Sequence, residues 1–254
     1  MAIRGSVTST ESTLADCVTL AAVIAFLVAV ADPSRFETIA APGIERVREG
    51  DSLVVTVRPE EGWGPQRVLN KALDELADQP DLEAVVILHE DVVLLDPDTA
   101  SIVRDAFADP DIAIAGAIGA QGIPGLAWWG GIPIGRTETA YVPDGVIHGV
   151  AARGPVDALD GLVLCLSPWA ARTLRFDEAL AADFHGYDID LCFQARHHGR
   201  RVEVIPLAVR HDHRPLFTDT ERWARNELRF QQQWLDHRPI SDERHQALAA
   251  PEPG

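Results

Sequence analysis

Short apolar runs alternate with amphipathic helical patterns over the first half of the chain, and this alternation limits the folds that are open to it. The strand-like runs are DSLVVTVRP, LEAVVILHED and DIAIAGAIGA, which begin at residues 51, 82 and 111. Between them lie GPQRVLNKALDELADQ and DPDTASIVRDAFADP, in which apolar residues recur at helical spacing. Strands that alternate with helices predict an α/β domain with a mostly parallel central sheet covered by helices on both faces.

An earlier apolar run, VTLAAVIAFLVAVA at residues 18–31, has two interpretations. It is shorter than the ~20 residues that a membrane helix needs. The residues before it contain Glu11 and Asp16 against one arginine, unlike the cationic start of an export signal. We therefore predict a buried first element that includes a central strand, and a signal segment is the alternative.

Charge and cysteine content narrow the class of protein. The 254 residues carry a formal net charge of −17 without a long basic run, so the surface would repel nucleic-acid phosphates and we expect no nucleic-acid partner. Cys17, Cys165 and Cys192 form no CxxC pair. This cysteine usage favours a reducing cytosol over a disulfide-forming compartment.

The second half of the chain has a less regular pattern. Residues 121–149 are rich in glycine and proline and show no helical period, which predicts loops and short hairpins. A helix is predicted near residues 188–198, a strand follows it, and an amphipathic helix ends the domain. We predict one domain over residues 16–238, with flexible ends at 1–15 and 239–254.

A histidine and two acids stand where the strand LEAVVIL ends. They are His89, Glu90 and Asp91. Ligands of open α/β sheets bind at the carboxyl ends of the strands, and hard divalent cations prefer oxygen ligands. These residues therefore predict a cation or ligand site, although Asp91 alone is also explained as a residue that turns the chain.

A second polar cluster begins at the predicted helix near residue 188. Asp188 and Asp190 lie in its first turn, where either acid is explained as a helix cap or as the general base of an active site. His211 and His213 follow in RHDHR and have the spacing of an HxH metal arm. The motifs GxGxxG, GxxxxGK[ST], GxSxG and HExxH are absent, which argues against Rossmann dehydrogenases, P-loop enzymes, serine hydrolases and HExxH zinc enzymes.

Several motifs together resemble the bacterial inverting glycosyltransferases of the GT-A class, family 2, and especially a short-chain branch of them. The resemblance covers roughly residues 22–234 and implies a GT-A-like, Rossmann-like fold and a cytoplasmic hexosyltransferase-type enzyme. It depends on the order and spacing of the motifs more than on any single one. In chain order the motifs are HEDV, AIAGAIGA, WWGG, VDALDGLVL, LRFDEAL, FHGYDIDLCFQARHHGRRVEVIPLAVRHDH and FQQQW.

The resemblance implies a divalent cation, Mn²⁺ or Mg²⁺, that bridges the diphosphate of a nucleotide-sugar donor. Asp91 matches the coordinating aspartate, and Glu90 beside it is assigned to binding the donor. His211 matches a histidine that completes the metal site, and His213 is its neighbour. His89 is assigned a supporting role toward the substrate.

The same resemblance implies roles for residues around the sugar. Asp188 matches the catalytic base, and Tyr187 stands where many relatives have glutamate, while Asp190 is assigned to holding the helix. Asp160 and Gly161 match the segment that flanks the donor sugar. Both Trp128 and Trp129 are assigned to stacking on a sugar ring, with local packing as an equal alternative.

Three further residues are assigned to the nucleotide: Asn70, Asp32 and Arg58. The implied partners are a nucleotide-diphosphate sugar donor and a hydroxyl acceptor, which is a glycan, a lipid-linked molecule or a small molecule. A homodimer and peripheral association with the inner face of the membrane stay open. So do three alternatives: a non-catalytic glycosyltransferase-like binding protein, a metal-dependent hydrolase and, more distantly, a nucleotidyltransferase.

Overall fold

The computed structural model describes residues 23–59, 64–135, 140–142, 145–148, 153–180, 186–212 and 220–235. The predicted ends at 1–15 and 239–254 lie outside these ranges, and so does His213.

Fourteen strands and seven α-helices make up the described part of the chain. The strands are β1 (Val23–Ala29), β2 (Leu53–Val57), β3 (Leu82–His89), β4 (Val92–Leu94), β5 (Ile112–Gly116), β6 (Gly119–Gln121), β7 (Ile132–Ile134), β8 (Ala140–Val142), β9 (Gly145–His148), β10 (Gly154–Pro155), β11 (Ala158–Leu159), β12 (Val163–Leu166), β13 (Arg201–Val204) and β14 (Val209–His211). The helices are α1 (Pro33–Arg35), α2 (Ala41–Val47), α3 (Gln66–Ala77), α4 (Thr99–Phe107), α5 (Pro168–Thr173), α6 (Tyr187–His197) and α7 (Thr220–Phe230). A π-helical turn, Phe36–Ala40, joins α1 to α2, and a second one, Gln231–Leu235, extends α7.

The central sheet has seven strands in the order β10-β13-β5-β12-β3-β1-β2. β1 pairs in parallel with β2 and β3, and β13 pairs in parallel with β5. β12 is antiparallel to both of its neighbours, and β10 is antiparallel to β13. Five of these seven strands therefore run in one direction, and the prediction of an α/β domain with a mostly parallel sheet is confirmed, with β12 as an antiparallel insertion.

Both faces of the sheet are covered. Successive side chains of a strand point to opposite faces, and every side chain from Ala84 to Leu88 in β3 is buried, as is every one from Val23 to Val28 in β1. The predicted helix α3 contributes a buried face that includes Leu69 and Leu73. Burial on both faces explains why these strands are continuous apolar runs instead of alternating patterns.

The region predicted as loops and short hairpins, residues 121–149, contributes β7, β8 and β9 to two smaller sheets. One has the order β11-β6-β7, and the other has the order β4-β14-β9-β8. The second of these begins at Val92, directly after Asp91, and in it His211 pairs with Val92. This small sheet therefore brings the RHDH segment back to the carboxyl end of β3.

The C-terminal helix is fastened to α6 through a buried carboxylate. Asp190 is 1% exposed, and its side chain accepts hydrogen bonds from Trp234 Nε1 at 2.7 Å and Gln194 Nε2 at 2.7 Å. Burial raises the pKa of Asp190, and the two hydrogen bonds oppose this shift. Its partners agree with the structural role assigned to Asp190.

Among the helices that the structure describes, none combines the length and the apolar character needed to cross a lipid bilayer.

We expect Trp234→Phe to lower the free energy of unfolding by about 2 kcal/mol, because it removes a hydrogen-bond donor from a buried carboxylate while keeping an aromatic ring beside Phe193. Urea unfolding measures the change. Trp129→Phe is the matched control, since Trp129 is 54% exposed, and we expect a change below about 0.5 kcal/mol. Equal stability of Trp234→Phe and wild type would contradict the role of this bond.

Candidate active site

The candidate site lies where the carboxyl end of β3 meets the amino end of β12. Because β12 is antiparallel, Val163 at its start lies opposite Leu88 near the end of β3. The backbone N–H of His89 donates to the carbonyl of Leu162 at 3.1 Å. This pairing brings the segment before β12, with Asp160 and Gly161, to the edge where parallel strands present ligand-binding residues.

Three side chains form a group with the chemistry of a metal site: His89, Asp91 and His211. One ligand atom of each lies within 4.8 Å of those of the other two. Asp91 Oδ1 is 3.5 Å from His211 Nε2 and 4.0 Å from His89 Nδ1. Since two ligands ~2.1 Å from one cation lie at most ~4.2 Å apart, these separations suit a shared ion. The structure thus groups His89 with the two predicted metal ligands.

Arg35 is a member of this site that the sequence patterns did not reveal. Its Nη2 donates to Asp91 Oδ2 at 3.0 Å and to the carbonyl of Asp212 at 3.0 Å. Burial by itself would raise the pKa of Asp91, but the hydrogen bond and charge of His211 and the charges of His89 and Arg35 lower it below its usual value. Asp91 is therefore held as a carboxylate, with Oδ1 facing the histidines.

Glu90 and Asp32 shape the turn after β1. Glu90 Oε2 accepts hydrogen bonds from the backbone N–H groups of Ala31 at 2.8 Å and Asp32 at 2.9 Å. Asp32 Oδ1 accepts from the N–H of Ser34 at 2.9 Å and caps α1. Arg58 is exposed just beyond β2. Their assignments to the donor stay predictions, and the contacts above give Glu90 and Asp32 a structural role as well.

Asn70 is buried, and its amide joins α3 to the segment before α6. The Nδ2 group donates to the carbonyl of Phe176 at 2.9 Å and to Glu178 Oε1 at 3.1 Å, and Oδ1 accepts from the N–H of Phe176 at 2.8 Å. These bonds use both ends of the amide and give Asn70 a structural role. Its assignment to the nucleotide stays a prediction.

Asp188 is half-buried at the start of α6. Its Oδ2 accepts from the N–H of Gly161 at 2.7 Å, and its Oδ1 accepts from the N–H of Ile189 at 3.0 Å. Burial and then the charge of Asp160 raise its pKa to about 7, against the backbone hydrogen bonds that lower it. A carboxylate that titrates near neutral pH is suited to general-base chemistry, so Asp188 serves the helix end and also has the property of a base.

Gly161 permits the close approach of α6 to the segment before β12. A Cβ at this position would lie 2.7 Å from Tyr187 Oη and 3.0 Å from Asp188 Oδ2. The neighbouring Asp160 accepts a hydrogen bond from the N–H of Leu162 at 3.0 Å. The missing side chain of Gly161 is thus explained by the packing of the protein on itself, and its assignment to the segment that flanks the donor sugar stays a prediction.

Tyr187 connects the two halves of the site. It is buried, and its hydroxyl lies 2.7 Å from His89 Nε2. Burial, followed by the charges of Asp188, Asp160 and Asp91, raises the pKa of Tyr187 well above its usual value. The hydroxyl is therefore neutral at physiological pH. Tyr187 contacts His89 of the histidine and aspartate group through this hydroxyl, and it directly precedes Asp188 in the chain.

The two tryptophans of the WWGG motif have different environments. Trp128 is 9% exposed and belongs to the core. Trp129 is 54% exposed, and its ring lies 5.9 Å from that of Trp223 at an interplanar angle of 35°. Local packing accounts for Trp128, whereas Trp129 retains surface on which a ring could stack.

A cavity of about 300 Å³ lies elsewhere, beside β13. Its arginines have acidic partners: Arg196 pairs with Asp157 at 2.7 Å, and Arg201 pairs with Asp109. The cavity shares no lining residue with the candidate site, and it is lined by Gln121, Gly122, Pro155, Val156, Asp157, Arg196, Arg200, Arg201 and Val202.

Comparison with known sequences gives the family. A profile described as "Glycosyltransferase like family" matches residues 54–237. The chain is also similar to the streptomycin biosynthesis protein StrF of Streptomyces griseus, with 30% identity over 220 residues that cover 85% of this chain and 76% of StrF. The chain belongs to this glycosyltransferase-like family. The match includes the residues of the His89, Asp91 and His211 group and Asp188.

Comparison with solved structures concerns the fold of this family member. GalNAc-T7, solved with UDP, GalNAc and Mn²⁺, aligns with 86% of the chain at a TM-score of 0.52 and 12% identity. The mannosyltransferase PcManGT from Pyrobaculum calidifontis, in complex with GDP-Man and Mn²⁺, aligns with 71% of it at a TM-score of 0.47 and 14% identity. The chain spans about half of each solved chain, 49% and 53% respectively. The alignment with GalNAc-T7 confirms the predicted GT-A-like fold.

We expect Gly161→Ala to lower the free energy of unfolding by about 1–3 kcal/mol, because the new methyl group would meet Tyr187 Oη and Asp188. Chemical unfolding measures the loss. Gly50→Ala is the matched control, since a Cβ at Gly50 would meet nothing within 4 Å. A Gly161→Ala protein as stable as the control would show that α6 can move away at no cost.

The raised pKa of Asp188 predicts a pH-dependent stability. Between its unfolded value of 3.8 and its folded value of about 7, the folded protein binds more protons, so the contribution of Asp188 is lost as the pH rises. Relative to Asp188→Asn, the unfolding free energy of the wild type should fall between pH 4 and pH 8 by at most about 4 kcal/mol. Urea unfolding of both proteins across this range measures the difference, and a constant difference would contradict the shift.

Proposed function

We propose that this protein is an inverting GT-A glycosyltransferase of family 2 that transfers a sugar from a nucleoside-diphosphate donor to a hydroxyl group with the help of a divalent cation. One observation carries the proposal: Asp188, whose pKa is about 7, directly follows Tyr187, which contacts His89 of the histidine and aspartate group. A residue with the property of a base therefore adjoins a group with the chemistry of a metal site, as such a transfer requires.

In the proposed reaction, Asp188 accepts the proton of the acceptor hydroxyl while the hydroxyl oxygen forms a bond to the anomeric carbon. The bond between that carbon and the diphosphate oxygen breaks, and its electron pair leaves with the nucleoside diphosphate. A single in-line displacement inverts the configuration. The N–H of Gly161, which donates to Asp188 Oδ2, orients the carboxylate.

The residues present fit Mn²⁺ or Mg²⁺, and Mn²⁺ better. His89, Asp91 and His211 offer two imidazole nitrogens and one carboxylate oxygen, a set that borderline first-row metals accept. Asp91 is held ionised, and Arg35 engages its Oδ2, which leaves Oδ1 toward the histidines. When bound, the cation would neutralise the charge that develops on the leaving diphosphate.

The surrounding residues supply the proposed substrate contacts. Trp129 has an exposed ring face for a sugar, and Asp160 lies beside the base. Glu90, Asp32, Arg58 and Asn70 stay proposed for the donor. GalNAc-T7 was solved with UDP and Mn²⁺, which supports testing nucleoside diphosphates with this ion. The name of StrF directs the first acceptor screen to small hydroxylated molecules, ahead of glycans and lipid-linked acceptors.

A metal-dependent hydrolase is the competing function, because two histidines and one carboxylate also form hydrolytic zinc sites. It would turn over substrates that contain no nucleotide. The raised pKa of Asp188 suits a base for either water or a hydroxyl, so only the substrate range separates the two functions.

We expect one nucleoside diphosphate to bind the wild-type protein only with Mn²⁺, as measured by calorimetry over a panel of nucleotides and nucleotide sugars. Asp188→Asn should keep this binding but lower transfer by about 10²–10⁴-fold, because the base is lost. His211→Ala should weaken the metal-dependent binding by about 10-fold or more.

Wild-type kcat/KM should rise with pH to a plateau above about 7, since Asp188 must be ionised to accept a proton.

Asp105→Asn is the matched control, since Asp105 is exposed on α4, and it should bind and turn over like the wild type. Full transfer by Asp188→Asn would contradict the proposed base. Failure to bind any nucleotide, together with zinc-dependent turnover of nucleotide-free substrates, would favour the hydrolase.

A further inference from the structure

The contact between Tyr187 and His89 joins two elements that are far apart in sequence. Tyr187 is the first residue of α6, His89 is the last residue of β3, and 98 positions separate them. The phenol ring is buried and lies edge-on to Phe176, with 5.5 Å between ring centres. Gly161 leaves room for its hydroxyl. The packing of the ring therefore fixes the position of the hydroxyl, and its 2.7 Å contact with the imidazole of His89 follows from this packing.

A neutral imidazole carries one N–H and one lone pair, so its two nitrogens cannot play the same role. At His89, Nε2 faces the Tyr187 hydroxyl at 2.7 Å, and Nδ1 faces Asp91 Oδ1 at 4.0 Å. The latter distance is too long for a hydrogen bond, but it is short enough for two ligands of one cation. A proton on Nε2 can be donated to the hydroxyl oxygen of Tyr187. A proton on Nδ1 would instead occupy the lone pair of the nitrogen that faces Asp91.

We infer that Tyr187 is a positioning residue: its hydroxyl oxygen accepts the Nε2–H of His89 and so presents the Nδ1 lone pair to a cation shared with Asp91 and His211. The inference rests on the metal site of the proposed function and adds to it a residue that acts on the metal through another side chain. Metal-binding histidines generally donate their second nitrogen to a fixed acceptor, which sets the tautomer and the orientation of the ring.

The choice of a phenol for this task follows from the local charge. Burial, and then the charges of Asp188, Asp160 and Asp91, raise the pKa of Tyr187. A carboxylate in its place would add another negative charge beside the base and would make ionisation of Asp188 still harder. A neutral hydroxyl orients His89 without this penalty.

Tyr187→Phe tests the inference, because it removes the hydroxyl and keeps the ring against Phe176. Calorimetry with Mn²⁺ alone should show a dissociation constant about 10–100-fold higher than in the wild type. His89→Ala should also weaken binding, and adding Tyr187→Phe to it should change nothing further, since the hydroxyl acts through His89. His198→Ala, a change at an exposed histidine, is the control and should bind like the wild type.

A second measurement needs no metal. Nitrogen-15 NMR of the histidine side chains in the metal-free wild-type protein reports which ring nitrogen carries the proton, and loss of the signal in His89→Ala assigns it. We expect the Nε2–H tautomer at His89. In Tyr187→Phe the Nε2–H of His89 should lose its hydrogen bond to the hydroxyl and its nitrogen resonance should shift, which a role of Tyr187 in packing alone would not produce.

The outcomes separate this inference from the proposed function. An Nδ1–H tautomer in the wild type, or Mn²⁺ binding by Tyr187→Phe within about twofold of the wild type, overturns the positioning role while metal-dependent nucleotide binding leaves the proposed function intact. If the wild-type protein binds no Mn²⁺ in the presence or absence of nucleotides, the metal site fails and the inference fails with it.

Discussion

The antiparallel direction of β12 is the constraint on which the site depends. A strand inserted between β3 and β5 in the common direction would begin at the opposite edge of the sheet, away from the carboxyl end of β3. In the direction it takes, Val163 lies opposite Leu88, and the segment containing Gly161 meets the start of α6. The acids from β3, from the segment before β12 and from α6 are gathered by this single reversal.

Acids that lie close together repel one another when ionised, and the structure compensates the charge of Asp91 more fully than that of Asp188. Asp91 is compensated by Arg35 and the histidines, and its pKa falls. Asp188 accepts backbone hydrogen bonds that favour its ionisation, but burial and the charge of Asp160 oppose it, and its pKa rises to about 7. Two carboxylates in neighbouring positions therefore have different proton affinities, which is how one site can hold a permanent anion and a group that exchanges protons.

Periodicity and length were enough to predict the α/β class and the positions of the main strands and helices, because burial on one or both faces leaves a pattern in the sequence. The direction of β12 left no such pattern, since GLVLCL is apolar when read either way. The different environments of Asp188 and Asp190 were also not derivable from spacing alone. Trp234 engages Asp190 from 44 positions away.

The partners that complete the site are the least predictable part of it. Arg35 reaches Asp91 across 56 positions, and Tyr187 reaches His89 across 98. Each contact depends on how three or more elements pack, and nothing local in DPSR or HGYD signals it. The family resemblance supplied the positions of Asp91, His211 and Asp188 and gave His89 a supporting role, whereas the placement of His89 within ligand distance of His211 required the structure.

His89 ends β3 of the seven-stranded sheet, whereas His211 ends β14 of the small sheet that begins directly after Asp91. A ligand that engages both histidines would cross-link two separately hydrogen-bonded sheets. Part of its binding free energy would then appear as cohesion between them. Binding of such a ligand would therefore also stabilise the packing of the two sheets against each other.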